Sequence, residues 1–115
     1  MSAYIPFNHP GLFGRELDLM ATALQSGRTA GGGKYSEAVC SLLANELGAA
    51  GVILTTSCTD ALELASLLIG TGPGDVVIVP SFTFVSTALA FTRSGATIRF
   101  ADIDPITLGI SADTV

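Results

Sequence analysis

Residues 51–101 alternate between short apolar runs and helical patterns, and this alternation limits the chain to few architectures. Apolar runs at 51–55, 76–79 and 96–101 are separated by two segments with helical spacing. Runs of this kind, without polar alternation, are typical of strands buried on both faces. Parallel strands need long crossovers, and helices supply them. The order strand, helix, strand, helix, strand therefore predicts an α/β fold with a mostly parallel sheet and flanking helices.

Local signals set the expected limits of the two helices in this half. The first follows the segment Ser57–Asp60 and is expected to end at Leu68 or Ile69, before a glycine-rich turn. The second is expected over 83–93, with Ser81 as its N-cap. Gly95 follows it at the place where a glycine commonly ends a helix.

The N-terminal half has a different pattern, an arm followed by two helices. Two prolines in the opening segment 4–10 predict an extended arm. Apolar residues at helical spacing predict helices over 14–25 and 36–47, the second capped by Ser36. Four of the seven residues 27–33 between them are glycine, so a flexible loop is expected there.

The chain has 115 residues, enough for one small domain. We expect residues 1–50 to form the arm and two helices, and residues 51–115 to form the start of the α/β layer. Only 13% of the residues are charged, which leaves few ionic groups to cover a small globule. This composition favours an obligate oligomer or a piece of a larger protein.

Charge and cysteine content exclude several classes of protein. Ten acids against five unclustered bases give a net charge of −5, which argues against a nucleic-acid partner. The longest apolar runs are interrupted by Ser, Thr, Gly or Pro, so no membrane-spanning helix is expected. Cys40 and Cys58 lack the spacing of a disulfide scaffold and are expected to be reduced cytosolic thiols. His9 is the only histidine, and a zinc site is not expected.

The segment 55–61 is the first candidate site, because ligands of open α/β sheets bind beyond the carboxyl ends of the strands. It lies between a strand and a helix, where unpaired N–H groups and the hydroxyls of Ser57 and Thr59 suit a phosphate. The alternative is ordinary helix capping by Ser57 and Asp60. The Asp60 carboxylate would repel a phosphate unless it turned away.

The segment 80–87 is the second candidate. Phe82 and Phe84 follow a strand there among hydroxyl side chains, and one of them is able to stack on a planar ring. The alternative is a core aromatic. Asp102 and Asp104 are interpreted as solvated carboxylates at a strand end rather than as metal ligands, since nothing nearby supplies further ligands.

Lys34 is the only lysine, so any Schiff-base chemistry in this chain would have to use it. It follows three glycines, which is a poor place for a buried amine with a lowered pKa. We interpret Lys34 as a surface residue. No pairing of a nucleophile with a base is visible, since His9 lies in the arm without an obvious partner.

Three stretches of the chain are similar to segments of one known family. Residues 57–65 resemble its Ser-Gly-Thr-(Ala/Asp)-Ala-Leu segment, with Cys58 in place of glycine. Residues 72–87 resemble its Gly-Pro-Gly-Asp-Glu-Val-Ile-Val-Pro-Ser block and the Thr-aromatic residues that follow. Residues 95–104 look like its next strand. The family is the DegT/DnrJ/EryC1/StrS sugar aminotransferases, and the resemblance covers nearly the whole chain.

This resemblance implies the N-terminal part of the large domain of the aspartate-aminotransferase fold (fold type I). It also implies an enzyme that uses pyridoxal 5′-phosphate (PLP) to move an amino group, with glutamate as the expected donor, onto a nucleotide-linked keto-sugar. The arm and Ser57–Thr59 look most like members that act on dTDP-4-keto-6-deoxy sugars for lipopolysaccharide or enterobacterial common antigen. Such enzymes are expected to be cytoplasmic homodimers.

The resemblance also implies site residues. The start of the helix at Ser57, Thr59 and Asp60 would hold the PLP phosphate through backbone N–H groups and hydroxyls. Phe84 would stack on the pyridine ring. The arm around Phe7 and the loop 27–33 would lie near the nucleotide-sugar site, across a dimer interface.

No residue matches the family's PLP-bearing lysine or the aspartate that pairs with the ring nitrogen, and Lys34 fits neither motif. Both family residues are expected far beyond residue 115. We therefore expect no catalytic residue in this chain, which would be an inactive N-terminal fragment. One alternative is a non-catalytic oligomerising α/β module or the partner of a separate C-terminal chain. A small Rossmann-like nucleotide binder is disfavoured, because no Gly-x-Gly-x-x-Gly turn follows a strand.

Overall fold

The computed structural model describes residues 4–115, which include the whole of the predicted arm 4–10. The chain forms two compact units, one ending at Val52 and the other comprising Ile53–Val115. No helix within the described part is long and apolar enough to cross a membrane. The elements in chain order are α1 (Glu16–Gln25), α2 (Lys34–Leu47), α3 (Cys58–Leu68), β1 (Val76–Pro80), α4 (Val85–Thr92), β2 (Thr97–Ala101) and a 3₁₀ turn (Ala112–Thr114).

The first helix, α1, begins two residues later than the sequence predicts. The Glu16 carboxylate accepts hydrogen bonds from the N–H groups of Phe13 (2.9 Å) and Gly14 (2.8 Å). These bonds, the one from Phe13 above all, lower the pKa of Glu16 because they stabilise its ionised form. The helix ends where the Ser26 hydroxyl donates to the carbonyl of Ala23 at 2.6 Å.

The second helix, α2, corrects one prediction, since Ser36 is not its N-cap. The helix begins at Lys34 with Gly33 as N-cap, and the N–H of Glu37 donates to the Gly33 carbonyl at 3.0 Å. A glycine N-cap is tolerated because it reaches the extended backbone conformation without strain. Gly48 ends the helix in the left-handed conformation, with φ of 61°.

The second unit contains a two-stranded parallel sheet covered by α4. Val76 of β1 pairs with Thr97 of β2, and the register continues to Pro80 and Ala101. The strand β1 therefore extends one residue beyond the predicted 76–79. The unit's small core consists of apolar residues from both strands, α4 and the turn between α4 and β2: Val79, Ala90, Ala96 and Ala101.

The predicted strand at 51–55 does not form, and the sheet has two strands rather than three. These residues belong to no helix or strand, and Ile53 and Leu54 are exposed. A strand exists only where a neighbour completes its backbone hydrogen bonds. Within residues 4–115 the only strands are β1 and β2, and they pair with each other. The prediction of a third strand at 51–55 is therefore wrong for the described residues.

The start of α4 also differs from the prediction, which placed it at residue 83 with Ser81 as the N-cap. Phe84 is the N-cap residue, and no side chain caps the helix. The N–H of Ser81 donates to the carbonyl of Ala101 at 2.9 Å. This bond prolongs the pairing of the two strands and keeps Ser81 in line with β1, three residues before the N-cap position of α4.

Hydroxyl groups join the end of α3 to the end of α4. The buried Ser66 Oγ lies 2.6 Å from Ser94 Oγ and 2.8 Å from Thr71 Oγ1. Arg93 also forms an ion pair with Glu63. The C-terminal ends of α3 and α4 therefore meet. Since the two helices pack side by side, their N-terminal ends lie towards the same side of the unit.

Candidate functional site

The start of α3 presents two backbone N–H groups that have no protein acceptor. Ser57 is the N-cap, in an extended conformation, and its Oγ accepts from the N–H of Asp60 at 3.1 Å. The N–H of Ala61 donates to the Ser57 carbonyl at 3.1 Å. Within residues 4–115 no hydrogen bond uses the N–H groups of Cys58 and Thr59. They point out of the positive end of the helix dipole, which attracts an anion.

Side chains at this helix start add hydrogen-bonding capacity. The Thr59 side chain is half-buried, and its hydroxyl bonds to no other residue in the described part of the chain. The Ser57 hydroxyl accepts the capping bond and donates its own proton to the Asp60 carboxylate. The Thr55 hydroxyl donates to the Ser57 carbonyl at 2.8 Å and fixes the turn before the helix. Two N–H groups and the Thr59 hydroxyl are therefore without a partner within residues 4–115 at this exposed helix start.

Asp60 is held by a bond that the sequence did not indicate. Its carboxylate accepts a hydrogen bond from the Thr56 hydroxyl. This bond and a second one from the Ser57 hydroxyl lower the pKa of Asp60. The predicted capping alternative is half correct, because Ser57 accepts from Asp60 but the Asp60 side chain bonds to Thr56. The carboxylate is thereby tied to the residues that precede the helix.

We expect the Thr56→Val substitution to raise the pKa of Asp60 towards the ordinary aspartate range. Because this pKa is depressed in the folded chain, ionised Asp60 stabilises the fold above the unfolded-state pKa. That contribution is lost as the pH falls through the lowered folded-state pKa. A carboxyl-carbon NMR titration of Asp60 measures the change. Thr55→Val is the matched control, since Thr55 bonds to a carbonyl, and an equal shift in both variants would contradict the assignment.

Phe84 lies on the surface, so the predicted core alternative for it is wrong for this chain. Its side chain is 73% exposed, and that of Phe82 is 83% exposed. Phe84 is the residue before α4, a few residues after the carboxyl end of β1. The starts of α3 and α4 lie towards the same side of the unit. Phe84 is therefore on the side that carries the free N–H groups of α3, with its ring accessible to a ligand.

The other sequence candidates have structural roles. Asp104 accepts from the N–H groups of Ile106 and Thr107, both at 2.8 Å, and these bonds lower its pKa while closing a turn. Asp102 accepts from the N–H of Ile103 at 2.8 Å. Residues 4–115 hold no group of three or more His, Cys, Asp or Glu side chains arranged for a metal ion. Lys34 is exposed at the start of α2.

Comparison with known proteins agrees with the fold and shows the family of the chain. A model of the DegT/DnrJ/EryC1/StrS aminotransferase family matches residues 13–115. The aminotransferase TlmJ from Streptoalloteichus hindustanus is 36% identical, with a TM-score of 0.85, over 97% of this chain and 31% of its own. A 3-amino-5-hydroxybenzoic acid synthase is 35% identical, with a TM-score of 0.79, over 91% of this chain and 28% of its own.

A third solved structure carries the cofactor named in its description. The Streptococcus pneumoniae protein Spr1654, described as a sugar aminotransferase, in its PLP form, is 31% identical to this chain with a TM-score of 0.82. The match covers 96% of this chain and 28% of that protein. The chain therefore spans less than a third of the length of each solved structure compared.

Proposed function

The chain belongs to the DegT/DnrJ/EryC1/StrS aminotransferase family, and from this we propose that it binds the cofactor phosphate as the N-terminal part of a PLP-dependent sugar aminotransferase. Its α/β fold is that of the start of the large domain of fold type I enzymes. The activity is proposed for the complete protein. The chain itself supplies one part of the cofactor site and no catalytic residue.

The observation that carries the proposal is the start of α3. A phosphate dianion needs several hydrogen-bond donors and a positive potential, and the free N–H groups of Cys58 and Thr59 offer both. The Thr59 hydroxyl adds a further donor, and Ser57 caps the helix that presents these N–H groups. The Thr56 bond to Asp60 ties the carboxylate to the preceding turn. The residues present therefore fit a phosphate.

Phe84 supplies the second part of the cofactor site. An exposed ring on the same side of the unit is suited to stack on the pyridine ring. Bound PLP supplies an electron sink for the movement of an amino group. The chain's own residues bind and orient: the start of α3 fixes the phosphate, and Phe84 fixes the plane of the ring.

For the complete protein we propose a nucleotide-linked keto-sugar as substrate and glutamate as the amino donor. The resemblance of the arm and of Ser57–Thr59 to dTDP-4-amino-4,6-dideoxygalactose transaminase supports a dTDP-4-keto-6-deoxy sugar used for cell-surface polysaccharide. The exposed arm around Phe7 and the loop 27–33 are proposed to approach that substrate across a homodimer interface. A cytoplasmic location is proposed as well, supported by the free thiols of Cys40 and Cys58.

Alkylation of Cys58 tests the proposal on the chain itself. Cys58 is exposed at the first position of α3, so a bound phosphate covers it, whereas Cys40 lies on α2 and serves as an internal control. Pyridoxamine 5′-phosphate is the probe, because its amine forms no covalent link with Lys34. We expect it to slow the reaction of Cys58 with iodoacetamide and to leave Cys40 unchanged. Pyridoxamine, which lacks the phosphate, is expected to protect neither thiol. If pyridoxamine 5′-phosphate protects both thiols, or protects neither, the proposal is refuted.

We expect Phe84→Ala in the complete enzyme to weaken cofactor binding roughly threefold to tenfold, because ring stacking is worth about 0.5–1.5 kcal/mol. Phe82→Ala is the matched control, since Phe82 is equally exposed two residues away and is expected to leave cofactor affinity unchanged. Cofactor dissociation followed by absorbance measures both. An effect on neither variant, or an equal effect on both, would remove Phe84 from the site.

The second candidate function is non-catalytic: the chain is then an oligomerising α/β module or the partner of a separate C-terminal chain. The exposed apolar face of α1 favours this candidate. Leu17, Met20 and Leu24 share one face of α1, and each is at least 60% exposed. Burial of such a face normally stabilises a helix. A second copy of the chain, or a separate C-terminal chain, would supply the cover. Size-exclusion chromatography and thermal unfolding of the pure chain distinguish the two candidates. A stable monomer that unfolds cooperatively would argue against the second candidate.

We expect the 115-residue chain alone to transfer no amino group to a dTDP-linked 4-keto sugar. Its only lysine, Lys34, is exposed on α2, and no residue stands where the family's PLP-bearing lysine would be. Chromatography of the nucleotide sugars after incubation with PLP and glutamate measures the product. Turnover that scales with the amount of this chain, absent from a mock preparation, would contradict the expectation.

A further inference from the structure

The contact between α3 and the end of α4 contains a cluster of three hydroxyl groups, from Ser66, Thr71 and Ser94. Ser66 is 1% exposed, and its Oγ is the atom that joins the other two hydroxyls. The Thr71 hydroxyl also donates to the Ser66 carbonyl at 2.8 Å, and the Ser94 hydroxyl lies 3.1 Å from the Phe91 carbonyl oxygen. The cluster therefore ties the last turn of α3 both to the segment that follows it and to the end of α4.

Hydrogen bonds fix the position of a helix more closely than apolar packing does. Apolar burial is non-directional, whereas a hydrogen bond requires a short distance and a nearly linear angle. Within residues 4–115 no buried side-chain oxygen or nitrogen lacks a hydrogen-bond partner. A buried polar network with all its members bonded specifies one arrangement of the elements that it joins. The position of α3 against α4 is therefore set at Ser66.

The other polar link between the two helices is weaker. Arg93 pairs with Glu63, but the Arg93 side chain is largely exposed, and water screens a pair of this kind. Ala90 of α4 is buried, and it borders a cavity of about 130 Å³ together with Ser66. In the part of the chain that the structure describes, the hydroxyl cluster is thus the buried polar link between α3 and the end of α4.

We propose that Ser66 and Ser94 are positioning residues of the cofactor site. The start of α3 presents the free N–H groups for the phosphate, and Phe84 is the N-cap residue of α4. Because each helix is rigid, a contact that fixes their C-terminal ends also fixes the spacing between their N-terminal ends. The inference rests on the proposed function, in which α3 holds the phosphate and Phe84 stacks on the ring. Ser66 and Ser94 act through the placement of Phe84 and do not touch the cofactor themselves.

Two ligands distinguish positioning from a general effect on stability. Inorganic phosphate tests the start of α3 alone, whereas pyridoxamine 5′-phosphate also tests the placement of Phe84. Backbone NMR titrations of the chain measure both affinities at the Cys58 and Thr59 amides. We expect Ser66→Ala and Ser94→Ala each to weaken the binding of pyridoxamine 5′-phosphate about threefold, and at most about tenfold, which is the range for a lost stacking contact. The affinity for inorganic phosphate is expected to stay unchanged.

A conservative variant and a matched control accompany these substitutions. Ser94→Thr keeps the hydroxyl, and its added methyl group has room because Ser94 borders the cavity of about 130 Å³. It is expected to bind both ligands as the unsubstituted chain does. Thr92→Val removes a hydroxyl from the same end of α4, but that hydroxyl donates to the Leu89 carbonyl of its own helix. It is expected to change neither affinity.

A double substitution shows whether Ser66 acts through Phe84. In a Phe84→Ala background, Ser66→Ala is expected to cause no further loss of pyridoxamine 5′-phosphate affinity, because the stacking contact is already gone. Ser94→Ala, at a half-buried position, carries the same comparison if Ser66→Ala does not fold. An equal loss with and without Phe84, an equal loss for both ligands, or normal affinity in the folded variants overturns the inference and leaves the proposed function intact. If the unsubstituted chain binds neither ligand at the start of α3, the proposed function fails, and this inference fails with it.

Discussion

Thr59→Val is expected to weaken the binding of pyridoxamine 5′-phosphate to this chain by roughly 10-fold to 100-fold. The substitution removes a hydroxyl that bonds to no other described residue and that we assign to the cofactor phosphate. A hydrogen bond to a charged group is worth about 1.5–3 kcal/mol, which converts to that range of affinity. Valine keeps the branched shape of threonine, so the helix start is preserved. Isothermal titration calorimetry measures the change.

A second threonine provides the control. The Thr92 hydroxyl, at the last residue of α4, donates to the Leu89 carbonyl at 3.1 Å, and it is remote from the start of α3. Thr92→Val is expected to leave the affinity unchanged. The melting temperature of Thr59→Val is also expected to stay close to that of the unsubstituted chain. If Thr59→Val binds the cofactor normally, the hydroxyl has no part in phosphate recognition.

Gly95→Ala is expected to destabilise the second unit by roughly 2–4 kcal/mol. Gly95 connects α4 to β2 with φ of 94°, a conformation that costs an alanine about 1–2 kcal/mol. A Cβ at this position would also lie 3.0 Å from Pro73 Cγ and 3.1 Å from its Cδ. Overpacking of this kind costs about 1–3 kcal/mol. Because the unit's apolar core is small, urea unfolding is expected to show a large shift of the midpoint.

Gly109→Ala is the control for this substitution. Gly109 belongs to the same unit, and an added Cβ there meets no atom within 4 Å. The change is expected to alter the free energy of unfolding by less than about 0.5 kcal/mol. If both variants lose the same free energy of unfolding, a side chain at Gly95 does not strain the turn.

The elements of the second unit were predictable where the signal is local. Ser57 caps α3 as its sequence position indicates, and Gly95 has the positive φ that was expected after α4. The predictions failed where a distant residue decides. Ser81 is expected to cap α4, but its N–H bonds to the carbonyl of Ala101, twenty positions along the chain, and this keeps Ser81 in line with β1. Strand pairing for 51–55 likewise depends on a partner that no local pattern reveals.

The candidate site was predictable in its residue types but not in its geometry. The order of Ser57 and Thr59 before a helix indicated a phosphate site, and the structure adds which N–H groups are free. The hydrogen bond from Thr56 to Asp60 was not predicted, because two polar residues four positions apart across the start of a helix do not by themselves indicate a hydrogen bond.

The central claim, that the start of α3 holds the cofactor phosphate, is tested most directly at the two free amides. The measurement is a backbone NMR titration of the chain with pyridoxamine 5′-phosphate, and with pyridoxamine as the phosphate-free control. We expect the Cys58 and Thr59 N–H resonances to move downfield and to saturate with the phosphate compound only. If both amides stay in place while the compound binds elsewhere, or if pyridoxamine moves them equally, the start of α3 is not a phosphate site and the account is wrong.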